Sequence, residues 1–185
     1  MVLKNLPVLV ILIAILGLGF YWLVNRPTPE ERVLRDFFDD FRMGRYTQAE
    51  EFSVDNDFYS MAASTMIHDA DNEEYLVGDY FPPNRAGALQ VAIESWVRPY
   101  ISRWKYLSMD TERLTDNESI VTFRIDIGIR EFSGGQVFSP DIHSATVEGQ
   151  AYMDLESEGW AIDYFDMHLF SEDGMTLEPY LEQVN

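Results

Sequence analysis

"SIVTFRIDIGIREF", residues 119–132, alternates with a period of two. Val121, Phe123, Ile125, Ile127 and Ile129 fall on one side, and Thr122, Arg124, Asp126, Gly128 and Arg130 on the other. Successive side chains of a strand point to opposite faces, so this pattern predicts a long strand with one face buried. Working outward, about Ile101 to Leu114 pairs with it through the turn "TDNES". "SATVEGQAYMDLE" alternates again, placing Ala145, Val147, Ala151, Met153 and Leu155 together. Glu156-Ser157-Glu158-Gly159 then turns into "WAIDYFDMHLF", and Ser133-Gly134-Gly135 begins a further turn. The second half of the chain therefore reads as an antiparallel meander.

The first half has the helical period instead. Thr28, Pro29 and Glu31 form a cap, a first-turn proline and a capping box. Val33, Leu34, Phe37, Phe38 and Phe41 follow at helical spacing, and Gly44 stops the run. A second box, Thr47 to Glu50, starts a short helix, and a third helical segment covers roughly Asp57 to His68. "DADNEEYLVGDYFPPNRAG" reads as loop. Asn84 then caps a helix carrying Leu89, Ala92, Ile93, Trp96 and Val97, which Pro99 ends. Helices followed by an antiparallel sheet give an α+β fold.

The stretch "FFDDFRMGRYTQAEEF" resembles the opening of the nuclear-transport-factor-two-like superfamily: an aromatic-rich helix, Gly, an aromatic, then a short Ala-containing helix. The resemblance covers about residues 28–171. It implies a cone-like domain in which a curved sheet wraps the helices. The superfamily holds isomerases, dehydratases, ligand binders and inactive scaffolds, so the fold alone assigns no activity.

Leu6 to Val24 is free of charge. As a helix it reaches roughly 28 Å, near the hydrocarbon thickness of a bilayer. Gly17-Leu18-Gly19 is a small-x-small site, but the apolar run continues past it through Phe20, Tyr21 and Trp22. Those three residues, with Arg26, have the character of a membrane interface. Residues 1–26 are therefore expected to be a transmembrane anchor and 27–185 an acidic α+β domain. A very short tail before the span places that domain outside the cytoplasm, although basic residues flank both ends almost equally.

The chain has 32 acidic and 13 basic residues, a formal net charge of −19, and every acidic residue follows Arg26. Such a surface repels nucleic-acid phosphates and attracts cationic proteins. Lysine occurs only at 4 and 105, a composition suited to a salty environment where repulsion is screened. The absence of cysteine excludes disulfides, thiolate metal sites, a cysteine nucleophile and a lipoprotein anchor. His68, His143 and His168 lack zinc-ligand spacing, and an EF-hand starting at Asp69 would need Gly and Glu where Glu74 and Tyr80 stand. No metal or cofactor is expected.

Two sets of residues remain as candidate sites. On the last strand Trp160, Ile162, Tyr164, Asp166 and His168 are expected on one face, and Asp166 with His168 has the chemistry of a general acid–base pair. "WVRPYISRWKYL" gathers Trp96, Arg98, Tyr100, Arg103, Trp104 and Lys105 as a candidate interaction patch. The leading expectation is a non-catalytic, single-pass accessory or scaffold subunit of a larger membrane complex of photosynthetic, respiratory or secretion type. Its partners would be the bilayer, neighbouring subunits and a basic soluble protein. The alternative is a membrane-tethered isomerase- or dehydratase-like enzyme, or a small-ligand binder, using the cone pocket.

Overall fold

The computed structural model describes residues 26–54, 62–68, 73–85, 101–130 and 142–171. Helix α1 spans Pro29–Met43 and is capped as its sequence predicts. The Thr28 hydroxyl accepts from the Glu31 amide at 3.2 Å, and the Glu31 carboxylate accepts from the Thr28 amide at 3.3 Å. Gly44 ends the helix at φ 72°, a left-handed conformation that glycine adopts without a Cβ penalty. Helix α2, Tyr46–Glu50, starts one residue before the position expected from Thr47. The second capping box does not form: Arg45 is the N-cap, it makes no side-chain cap, and its guanidinium bonds Asp40 instead. Tyr46, two residues after the Gly44 stop, is buried at that start.

Two three-residue strands follow, β1 (Met66–His68) and β2 (Glu74–Leu76), then helix α3 (Val77–Tyr80) and a 3₁₀ turn at Pro83–Arg85. The expected third helix therefore gives way to strand at its C-terminal end, and the expected loop contains β2 and α3. The four long strands are β3 (Ile101–Arg113), β4 (Glu118–Arg130), β5 (Ile142–Glu156) and β6 (Gly159–Ser171). They form the expected antiparallel meander. The sheet is nonetheless mixed, in the order β2-β1-β6-β5-β4-β3, because β1 joins β6 in parallel. The other end of the same β6 edge bonds the segment after α2. Val54 donates to the Ile162 carbonyl at 2.9 Å, and Ile162 donates to that of Phe52 at 2.7 Å.

The core lies between α1 and one sheet face. Leu34, Phe37 and Phe38 of α1 meet Val121, Phe123, Ile125, Ala151, Met153, Ile162 and Phe165. The quoted stretch thus buries Val121, Phe123, Ile125 and Ile127 as predicted. Three register shifts interrupt the pairing of the long strands, the first between Ile101 and Arg103 of β3. The β3–β4 register shifts between Tyr106 and Ser108, and the β5–β6 register shifts where Tyr152 faces Tyr164 but Met153 faces Ile162. Gly149 faces Met167 of β6 at a close approach of the two strands. A Cβ there would overlap the Asp166 carbonyl and lie 2.9 Å from the Met167 Cα.

The fold is α+β with a six-stranded mixed sheet and few helices. Among the described residues no helix is long and apolar enough to cross a membrane. The expected anchor and the interface residues Phe20, Tyr21 and Trp22 lie outside the described residues, as do the expected 89–97 helix and the turn at Ser133–Gly135. Arg26 is exposed.

Candidate functional site

The β5–β6 register shift decides which way the candidate acid–base pair points. Asp163 is the extra residue of β6, so the alternation changes phase there. Ile162 is buried, and the next buried residue is Phe165 rather than Tyr164. Met167 and Leu169 continue toward the core. Tyr164, Asp166, His168 and Phe170 consequently lie on the opposite, outer face. Trp160 and Ile162 do not share a face with Asp166 and His168, correcting the expectation drawn from a strict two-residue period. The acid–base candidates lie outside the helix-filled interior.

On the outer face they belong to a larger array. The His168 Nε2 lies 3.1 Å from Asp166 Oδ1, and its Nδ1 lies 2.8 Å from His68 Nε2. His68 Nδ1 is 3.4 Å from Glu74 Oε1. The Asp166 and His68 contacts of His168 are both satisfied when its Nε2–H donates to Asp166 and its Nδ1 accepts from the Nε2–H of His68. The rings of His68 and Phe170 stack at 4.4 Å with 7° between planes. Four residues from β2, β1 and β6 thus form a ladder running carboxylate, imidazole, imidazole, carboxylate. It fastens the β1–β2 hairpin to β6. Among the described residues no group of three or more His, Cys, Asp or Glu is placed to hold a metal ion.

Beside the ladder, Tyr152 and Tyr164 stack at 4.0 Å with 10° between their planes. The Tyr152 hydroxyl donates to Gln150 Oε1 at 3.1 Å. Tyr164 holds its proton above the ordinary tyrosine range. Desolvation contributes most, followed by the Tyr152 hydroxyl and the charges of Tyr152, Asp163 and Asp166.

The interaction patch read from the sequence is divided by β3. Trp104 and Tyr106 turn inward onto α1, with Trp104 5.9 Å from the Phe38 ring and the Tyr106 hydroxyl 3.1 Å from Asp39 Oδ1. Arg103 turns the other way, pairs with Asp126 at 2.9 Å and donates to the Ser144 hydroxyl at 3.1 Å. Lys105 is exposed. Trp96, Arg98 and Tyr100 lie outside the described residues. His68 and Glu74 escaped the sequence reading because 100 residues separate the two histidines. Tyr152 did leave a signal, as an aromatic on the polar side of an alternating strand.

No protein-family model matches this chain, and no curated protein does. Solved structures similar to it include a ketosteroid isomerase-like protein from Erwinia carotovora atroseptica, with TM-score 0.45 and 7% identity over 77% of this chain and 92% of that one. Another is a protein of unknown function with a cystatin-like fold from Nostoc punctiforme, with TM-score 0.43 and 8% identity over 79% and 90%. A third is an NTF-2 like protein of unknown function from Shewanella oneidensis, with TM-score 0.40 and 10% identity over 75% and 93%.

Proposed function

We propose that this chain is a single-pass membrane protein whose acidic domain, of the nuclear-transport-factor-two-like cone type, acts as a non-catalytic accessory or scaffold subunit of a larger complex. Leu6–Val24 would anchor it, and Asn25–Pro27 leaves almost no slack before the helix cap at Thr28. So short a tether holds the domain near the bilayer, a geometry suited to docking on neighbours.

The observation that carries the non-catalytic reading is the filling of the sheet's inner face. Leu34 and Ile125 are fully buried, and Phe38 packs among Phe37, Phe123 and Phe165. Asp166 and His168, the residues of acid–base character, stand on the other face and are tied up in the histidine ladder. Among the described residues the face between α1 and the sheet is filled by apolar side chains, which favours a packing role over binding a substrate there.

The test is native purification of the full chain in mild detergent, followed by light scattering and mass analysis. A defined hetero-complex is expected. Recovery of the chain solely as a monomer from its native membrane would overturn the subunit role.

A further inference from the structure

The outer face of β5 and β6 combines an exposed aromatic surface with a one-signed electrostatic field. Tyr164 is 48% exposed although its ring is stacked on Tyr152. Asp163 and Asp166 flank it in the chain, and both raise its proton affinity, so their negative charge is felt at the ring. Asp154 follows Tyr152 on the same side of β5 and is paired in register with Ala161 of β6. The cation Arg124, on neighbouring β4, is held by Glu148 at 3.5 Å.

Building on the subunit role proposed above, we propose that the Tyr152–Tyr164 shelf is the docking face for an arginine-bearing segment of a partner protein. A guanidinium is planar, stacks on aromatic faces and forks onto carboxylates, whereas an ammonium offers only a point charge. Asp163 and Asp166 both act electrostatically on Tyr164, so a guanidinium seated over that ring meets their negative field. The chain already uses this mode internally, with Arg35 4.9 Å above the Tyr106 ring and Arg113 5.7 Å from that of Trp160. A second copy is disfavoured because it would set one chain of net charge −19 against another. An anionic lipid headgroup would meet the same carboxylates.

The test uses full-length chain in mild detergent, titrated calorimetrically with a hexa-arginine peptide, with hexa-lysine and hexa-glutamate for comparison. Hexa-arginine should bind more tightly than hexa-lysine, and hexa-glutamate should not bind. Tyr164→Leu and Asp166→Asn should each weaken hexa-arginine binding by about fivefold or more, the size expected for a lost cation–aromatic or charge-assisted contact. Tyr164→Phe should retain binding, because the face of the ring remains. Glu112→Gln, an equal charge change at an exposed site on β3, should change it little.

Equal losses from Glu112→Gln and Asp166→Asn, or no loss from Tyr164→Leu, would assign the binding to diffuse charge and overturn the proposal. Asp166→Asn keeps the test decisive if Tyr164→Leu fails to fold. A homodimer that dissociates on Tyr164→Leu would give the face to a second copy, also overturning it. A monomer whose hexa-arginine binding depends on Tyr164 refutes the subunit role while keeping this docking face. A native complex that survives both Tyr164→Leu and Asp166→Asn keeps the role and refutes the face.

Discussion

Phe38 touches four aromatic rings: Phe37 at 5.4 Å, Phe123 at 5.1 Å, Phe165 at 5.8 Å and Trp104 at 5.9 Å. It joins α1 to β3, β4 and β6 at one point, so its removal opens a cavity that no single neighbour can fill. Phe38→Ala should cost about 3–5 kcal/mol in urea unfolding, the range for a buried Phe truncated to Ala. A loss below about 1 kcal/mol would mean that the core collapses around the gap. Tyr106, on the same helix–sheet seam, makes a prediction about alkaline pH. Burial holds its proton well above the ordinary tyrosine range, and the nearby Asp39 carboxylate adds to the effect. The folded chain therefore binds this proton more tightly than the unfolded chain. Its contribution to stability is complete below about pH 10, where free tyrosine begins to ionise, and is lost as pH rises toward the raised value. Tyr106→Phe should be less stable by about 1 kcal/mol at neutral pH, having lost its hydrogen bonds. It should also lose stability less steeply above pH 10. A slope equal to that of the unaltered chain would remove Tyr106 as the cause.

At the scale of elements, the β1–β2 hairpin is joined to the long strands by few groups among the described residues. β1 meets β6 over three register positions only. The His68–His168 hydrogen bond and the His68–Phe170 stack supplement that short pairing. His68→Ala should therefore speed amide exchange at Ile67 and Tyr75 by about tenfold, the effect of losing about 1.4 kcal/mol of local protection. Exchange at Val121 and Ile125 in β4 should not change, and equal acceleration there would mean that the hairpin opens only with the whole sheet. The same element marks the limit of what the sequence discloses. β4 and β5 declare themselves through sustained apolar alternation, β3 as the partner reached through the turn before β4, and α1 through Thr28, Glu31 and Gly44. Three-residue strands carry no measurable period, so β1 and β2 pass for helix end and loop. The pairing of His68 with His168 is created by the parallel β1–β6 contact, which no local pattern encodes. The outward turn of Asp166 and His168 depends on one extra residue, Asp163. A strict period of two carries both side chains to the wrong face.

For the whole molecule, the dominant quantity is charge. A formal net charge of −19 in 185 residues, with every carboxylate after Arg26, concentrates repulsion in the folded domain. Part of it is locally offset by Arg103 with Asp126, Arg124 with Glu148 and Arg113 with the buried Glu30. The rest acts over distances set by ionic strength, for the screening length falls from about 10 Å at 0.1 M to about 3 Å at 1 M. Salt should therefore stabilise this domain, in keeping with the salty environment suggested by its lysine-poor, acidic composition. The melting temperature should rise by several degrees between about 0.1 and 1 M sodium chloride, with most of the gain arriving early as the screening length shortens. Salt also strengthens apolar burial, and a rise alone does not separate the two causes. Converting the exposed carboxylates Asp110, Glu112 and Glu118 to their amides separates them, because it lowers the repulsion without touching the core. That triple variant should melt higher than the unaltered chain in low salt and gain less from added salt. If it gains as much, burial is the agent and the surface charge has another purpose, for which attraction of a cationic partner is the direct candidate.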